Sequence, residues 1–416
     1  MSDAFWPSTH PRIVITMSSE LAFSGIKVLD FTQGVAGPHS TMLLAQHGAD
    51  VIKIEPPTGD WGRALGKIYG NQCAHFIAFN RGKRSLTLDM KNEQARAVTH
   101  KMAAECDVIV EAFRPGVMAK FGLDYESVKK VNPNVIYLSV TGFGQEGPNN
   151  GLPVTDAIIQ AYSGFMTVNR DSQGLPNRVN MIPIDVTTGL YAFQGLSTAL
   201  MRKFRYGTGC YIDNSLMQSA AAFQAAKIAE FYLEDGEVAP LYAPVGTMKT
   251  TDGFMNVTAM RDHHYEALCD ILGLPELKTD PLYDSREKRI ENEKTLMVLI
   301  RAEFEKQPAA HWAKLLTDAG VMNSIVQGYG DFMNHEHTKA VGAVAYVEHD
   351  GAGTFPMPQI PGLPRIEGPS AMTHAPHIGE HSAIILKEWG YSDDAIAEML
   401  SKKVTAVPEA QAAAAE

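Results

Sequence analysis

The stretch Lys27 to Glu55, KVLDFTQGVAGPHSTMLLAQHGADVIKIE, decides the fold. Lys27 to Thr32 is a short apolar run with a strand signature. Ala36 to His47 carries its apolar residues at helical spacing, Gly48 stops that pattern, and Asp50 to Glu55 is largely apolar again. A strand, a helix and a second apolar strand within about 30 residues make a βαβ unit, and the crossover implies a parallel sheet. Between the first strand and the helix, Thr32-Gln-Gly-Val-Ala-Gly-Pro38 reads as a tight turn whose backbone N–H groups can face a phosphate. It lacks the G-x-G-x-x-G spacing of a dinucleotide fingerprint.

The theme repeats further along the chain. Asn92 to Ala104 reads as a helix with Ala95, Val98, Met102 and Ala103 on its apolar face, and strands follow at Asp107 to Glu111 and Asn134 to Thr141. A long helix from about Val186 to Phe204 shows Leu190, Phe193, Leu196, Leu200 and Phe204 at helical spacing. Tyr206 to Gly209 breaks it, and Cys210 to Ile212 starts another strand. Between His263 and Gly320 the chain becomes mostly charged, amphipathic helix. That shift places a smaller α+β domain at residues 225–325, inserted into a large α/β domain made of 25–224 and 326–402. Gly351 to Gly368, rich in Pro and Gly, reads as a long connection; residues 1–24 read as an extension and 403–416 as a frayed tail.

Composition narrows the function. With 36 basic against 47 acidic residues the net charge is −11, so a nucleic-acid partner is not expected. There is no signal-peptide pattern and no run of about 18 apolar residues, so no membrane association is expected. Cys73, Cys106, Cys210 and Cys269 are far apart and form no CxxC pair, which points to a reducing, cytoplasmic location. The pairs His263-His264 and His335-x-His337 lack the spacing of a helical zinc site, so no metal is expected.

Two carboxylates stand out. Asp185, in Pro183-Ile-Asp-Val-Thr-Thr-Gly189, precedes the long helix, where it serves most simply as an N-cap. The same place suits a nucleophile, since a helix N-terminus favours the ionised form. Asp156, in Val154-Thr-Asp-Ala157, reads as a cap for a helix at Ala157 to Tyr162 or as an auxiliary catalytic group. The cluster Arg81-Gly-Lys-Arg84 either pairs with phosphates or decorates a strand edge.

Several strings in order over residues 25–400 resemble the class III CoA-transferases, of the CaiB/BaiF type, a family that also contains the α-methylacyl-CoA racemases. They include GIKVLDFTQGVAGP, LAQHGADVIKIEPP, NRGKRSLTLDM, DVIVEAFRPG, GFGQEGP and DVTTG. The resemblance implies a Rossmann-like large domain formed by both chain ends, a smaller domain, and two chains interlocked as a homodimer. It implies Asp185 as the nucleophile, attacking an acyl-CoA to give a mixed anhydride and then an aspartyl-CoA thioester. It implies coenzyme A contacts at Val35 and Ala36, at Leu88, Asp89, Met90 and Lys91, at Ala112, Phe113 and Arg114, and at Lys120. The partners are an acyl-CoA and a small carboxylic acid, with no cofactor beyond coenzyme A itself. Racemases of the family carry a His-Asp pair where this chain has Thr155-Asp156, and threonine is no base near neutral pH. Racemisation is therefore the lesser reading, beside a non-catalytic acyl-CoA-binding protein. Ala243 to Lys249 lacks the glycine run that the formyl-CoA:oxalate transferases carry, which disfavours oxalate.

Overall fold

The computed structural model describes residues 21–171, 173–236 and 240–408; most of the expected extension and the last eight residues of the expected tail lie outside these. The chain divides into two compact units. One is built from residues up to Ala225 together with those from Gly342 onward, and the other is Ala226–Val341. The second unit thus runs sixteen residues past the boundary of 325 read from composition, through the short helices Tyr329–Asn334 and Glu336–Val341.

Six parallel strands form the large unit's sheet: β1 (Lys27–Asp30), β2 (Asp50–Glu55), β3 (Arg84–Thr87), β4 (Val108–Glu111), β5 (Ile136–Thr141) and β6 (Cys210–Ser215). Their spatial order is β3-β2-β1-β4-β5-β6, so the direction of winding reverses between β1 and β4. Both faces are covered. Val28, Val51, Val108, Val110, Ile136 and Leu138 pack on α1 (Ala36–Gln46) and on the long helix Pro183–Tyr206. On the opposite face, Leu29, Ile52, Leu86, Ile109 and Tyr137 meet the helices Glu93–Glu105, Ser382–Glu388 and Asp393–Ser401. A sheet buried on both faces explains the near-continuous apolar runs in the sequence.

Between these landmarks lie α2 (Ala74–Asn80), α3 (Glu93–Glu105), α4 (Val117–Lys120), α5 (Asp156–Tyr162) and α6 (Pro183–Tyr206). Pro183 occupies the first position of α6, where its missing N–H costs nothing, and Gly207 ends the helix at φ +70°. The segment expected to be a plain connection instead contributes an antiparallel hairpin, Val344–His349 with Gly353–Pro358. Its Val347 and Met357 pack on Phe76 and Ile77 of α2. The part of the expected tail that is described is tied down. Val404 and Thr405 are buried, the Val404 carbonyl accepts from Asp89 N–H, and the Thr405 hydroxyl donates to Thr87.

The smaller unit holds a three-stranded antiparallel sheet, Val245–Lys249, Phe254–Thr258 and Met322–Ile325, covered by Asp262–Leu272, Glu293–Phe304 and Ala309–Asp318. The charged stretch after His263 is helical because Leu268, Leu272, Leu296, Ile300, Phe304 and Leu316 recur on its buried face. Among the described residues, no helix is long and apolar enough to cross a membrane.

Candidate active site

Loops at the carboxyl ends of β1, β3 and β4 carry the residues expected to meet coenzyme A. In an open doubly wound sheet this edge, at the point where the strand order reverses, is where ligands bind. Val35 and Ala36 follow β1, and Ala112 to Arg114 follow β4, its immediate neighbour. Leu88 to Lys91 follow β3 at the end of the sheet. Their side chains divide. Val35, Ala36 and Leu88 are buried in the core, which leaves only their backbones to face a ligand. Lys91, Arg114 and Lys120 are exposed, and none has an ion-pair partner among the described residues.

The turn after β1 is held differently from the expectation. Two N–H groups that could face a phosphate are already taken: Thr32 donates to Asp30 at 2.9 Å and Gly34 donates to Asp60 at 3.0 Å. Asp60 pairs with Lys53 at 2.8 Å, and Lys53 Nζ donates to the Thr32 carbonyl at 2.7 Å. Lys83 Nζ reaches Asp30 at 2.8 Å and the Pro38 carbonyl at 2.9 Å. Beside this, Glu55 holds Arg63 at 2.6 Å. Burial works to raise the Asp30 pKa, yet the Lys83 and Lys53 ammonium groups outweigh it and bring Asp30 down to about 2. Lys83 and Arg84, which pairs with Asp50 and Glu388, are thus committed within the chain and are not a phosphate site. Lys53 was the missed signal: a lysine inside a strand buried on both faces must have a carboxylate partner.

Asp185 is not the cap of α6. The helix begins at Pro183, so Asp185 lies in its first turn, and Ile182 at the cap position forms no side-chain bond. The cap comes from another helix. Asp156 is the first residue of α5, only 4 % exposed, and its Oδ2 accepts from Ile184 N–H at 2.7 Å and from Asp185 N–H at 2.9 Å. Its Oδ1 accepts from Gln160 Nε2, and Gln160 Oε1 accepts from Val179 N–H, fastening the strand of chain that leads into α6. Asp156 therefore does the capping expected of Asp185. The half-buried Asp185 carboxylate accepts no hydrogen bond among the described residues. Burial, then the like charge of Asp156, pushes its pKa up to about 7.

His39 on α1 joins the loop after β1 to this helix. Its Nδ1 lies 3.2 Å from the Val186 carbonyl and its ring faces Phe79 at 5.1 Å. Burial holds its pKa down at about 4, so the ring is neutral and donates Nδ1–H to that carbonyl. Gly189 makes room for it, because a Cβ there would stand 2.6 Å from Nδ1. Neither His39 nor the role of Gly189 was visible in the sequence, since nothing in the spacing relates residues 39 and 189.

The sequence profile described as CoA-transferase family III matches residues 23–382. The chain belongs to CoA-transferase family III. It is 35% identical to the acetyl-CoA:oxalate CoA-transferase of Acetobacter aceti, over 88% of this chain and 95% of that one. It is 32% identical to the human succinyl-CoA:glutarate CoA-transferase, over 93% and 91% of the two chains. The crystal structure of a CaiB/BaiF family protein from Brucella suis superposes with a TM-score of 0.78 at 30% identity, covering 89% of this chain and all of that one. The enzyme class implied by the sequence strings is therefore that of the chain, a family III CoA-transferase, and its mixed α/β fold with a parallel sheet matches that of the CaiB/BaiF structure.

Proposed function

We propose that this protein transfers coenzyme A from an acyl-CoA donor to a dicarboxylic acid, with Asp185 as the covalent nucleophile. The observation that carries the reading is the division of labour between two aspartates. Asp156 satisfies the N–H groups of the α6 terminus, and Asp185 is left with an uncommitted carboxylate beside it. An uncommitted carboxylate of raised pKa is a better nucleophile than a capping one, because its oxygens need not first be released.

The Asp185 carboxylate attacks the thioester carbonyl, and the C–S bond breaks with loss of the coenzyme A thiolate, leaving a mixed anhydride. The thiolate then attacks the aspartyl carbonyl and expels the donor's carboxylate, giving an aspartyl-CoA thioester. The incoming carboxylate attacks that thioester to form a second anhydride, and the thiolate completes the exchange at the acceptor's carbonyl. Charge balances at each step, so no proton, metal or redox partner enters the sequence. The crevice above the β1–β4 reversal serves, in Rossmann-like fashion, as the coenzyme A site. Lys91, Arg114 and Lys120 supply the phosphate contacts, and the backbone at Val35, Ala36, Leu88 to Met90 and Ala112 to Phe113 lines its course.

The dicarboxylate class rests on the relatives that act on oxalate and on glutarate. The relative that acts on oxalate keeps oxalate among the candidate acceptors beside the missing glycine run. Self-association into an interlocked homodimer is supported by exposed apolar side chains: Met201 and Phe204 on α6, then Phe223, Phe231, Tyr232 and Leu233. A cytoplasmic setting is supported by four unpaired cysteines.

Incubation with an acyl-CoA and then hydroxylamine tests the mechanism. Trapping of the aspartyl intermediate should inactivate the enzyme and leave a hydroxamate on the peptide containing Asp185, read by mass spectrometry. An unmodified peptide with full turnover would sink it and leave the protein as a binder of acyl-CoA or a transferase of another mechanism.

A further inference from the structure

The run Asn80-Arg-Gly-Lys-Arg-Ser85 contains three cations with unequal surroundings. Lys83 meets Asp30, and Arg84 meets Asp50 and Glu388. Arg81 meets no carboxylate among the described residues. It is only 3 % exposed, its Nη1 touches the Pro358 carbonyl at 3.5 Å, and its Nε has no partner. The other deeply buried cations of this unit, Lys53, Lys83 and Arg63, each stand within 2.8 Å of a carboxylate oxygen. Burial brings the Arg81 pKa to about 10, which still leaves it charged at neutral pH. A buried charge without a counter-ion is costly, and the structure tolerates it where an anion arrives from outside the chain.

Its position says which anion. Arg81 directly follows α2, whose Phe79 faces His39, and its charge is felt by that imidazole. The Nδ1 of His39 also lies 3.2 Å from the carbonyl of Val186, the residue next to Asp185. One imidazole thus links the surroundings of the unpaired guanidinium to those of the proposed nucleophile. A guanidinium offers a planar fork of N–H donors that matches a carboxylate in bidentate fashion.

We propose that Arg81 receives the second carboxylate of a dicarboxylic substrate, and so makes the enzyme selective for dicarboxylates over monocarboxylates of equal length. The inference rests on Asp185 being the nucleophile: one end of the acid reacts there while the other is held at Arg81. A substrate lacking the second carboxylate leaves the guanidinium buried and unpaired, which is a penalty as well as a lost contact.

The test uses the full-length protein with succinyl-CoA as donor and straight-chain α,ω-dicarboxylates from oxalate to adipate as acceptors, each against the monocarboxylate of the same length. The wild type should favour at least one dicarboxylate by on the order of 100-fold in kcat/KM, as for loss of a buried charge pair. Arg81→Met should erase most of that preference by slowing the dicarboxylate while leaving the monocarboxylate within a few-fold. Arg81→Lys should restore little, because an ammonium lacks the fork. A wild type indifferent to the second carboxylate overturns the proposal, even if the variants fail to fold. Equal losses in the acceptor's kcat/KM, which the succinyl-CoA half-reaction does not enter, for both acceptor types in Arg81→Met overturn it too, and if that variant also falls from dimer to monomer, the counter-ion belongs to a second copy of the chain. Hydroxylamine trapping on the same wild-type sample separates the two readings. No hydroxamate at Asp185 means the mechanism fails, whereas a hydroxamate without dicarboxylate preference means only Arg81's role fails.

Discussion

Two groups of acidic side chains at the same edge of the sheet are treated in opposite ways. Below the turn after β1, the acids Asp30, Glu55 and Asp60 interleave with the cations Lys53, Arg63 and Lys83, and every carboxylate has a cation against it. At the start of α6, Asp156 and Asp185 share one helix terminus with no cation between them. Both settings are largely withdrawn from water. The first draws a carboxylate down to about 2 and the second drives one up to about 7. Groups that hold the loop's geometry are neutralised in pairs, whereas the carboxylate proposed as the nucleophile is left without a counter-charge, at a cost in stability.

The largest effect separates the two settings directly. Asp185→Asn should lower kcat by on the order of 10⁴-fold or more, as for loss of a nucleophile, measured by steady-state transfer. The same variant should melt at a higher temperature than the wild type at pH 8. The sign follows from the raised pKa: between the usual carboxylate value and about 7 the folded state binds a proton that the unfolded state does not. The wild type therefore loses stability as pH rises across that window, by about 1–4 kcal/mol, and the neutral amide does not. The gain in melting temperature should vanish near pH 4. Lys53→Met makes the opposite change in the other setting. It strips the cation from Asp60 and the donor from the Thr32 carbonyl. Breaking a buried pair costs about 3–5 kcal/mol, which urea denaturation at neutral pH would register.

Much of this molecule is legible in its sequence because the parallel sheet writes itself in apolar runs. Asp50 to Glu55 is a strand with the expected bounds, and the helix expected from Ala36 to His47 runs Ala36–Gln46. The start of α6 was harder. Apolar periodicity begins only at Leu190, so Pro183 to Asp185 looked like a lead-in, and Asp185 like a cap. Which aspartate caps α6 is a long-range fact: Asp156 lies twenty-nine residues before Asp185, on another helix. The same holds for His39 against Gly189, a close approach between two helices joined by no local pattern. The hairpin at Val344–Pro358 was hidden by composition, since Gly351 and Pro356 carry the marks of a loop while Val347 and Met357 supply a buried face.

A smaller perturbation probes how the loop after β1 is registered on α6, the helix of the proposed nucleophile. Gly189→Ala would place a Cβ 2.6 Å from His39 Nδ1 and 2.7 Å from His39 Cβ, too near for either to stay in place. Overpacking of this kind costs about 1–3 kcal/mol, and here it should appear mainly in kcat as α6 shifts away from α1. Adding His39→Ala should recover part of the loss by removing the clash. Equal rates in Gly189→Ala and wild type would mean that the contact sets stability alone.

The finest test asks how much of Asp185's displacement comes from its acidic neighbour. In the proposed mechanism the ionised form attacks, so kcat/KM for the acyl-CoA should rise about tenfold per pH unit below about 7 and level off above it. Burial is the larger cause of the raised pKa and the charge of Asp156 the second. Asp156→Asn removes only the second, so the inflection should move to lower pH without reaching the ordinary carboxylate range. The plateau should fall by a few-fold as well, because an amide oxygen caps the Ile184 and Asp185 N–H groups less strongly than a carboxylate does. The two consequences are separable. A lower plateau with an inflection still at about 7 would make Asp156 a cap and nothing more, and would assign the whole displacement to burial. A lower inflection with an unchanged plateau would make its charge, and not its hydrogen bonds, the part that matters to Asp185.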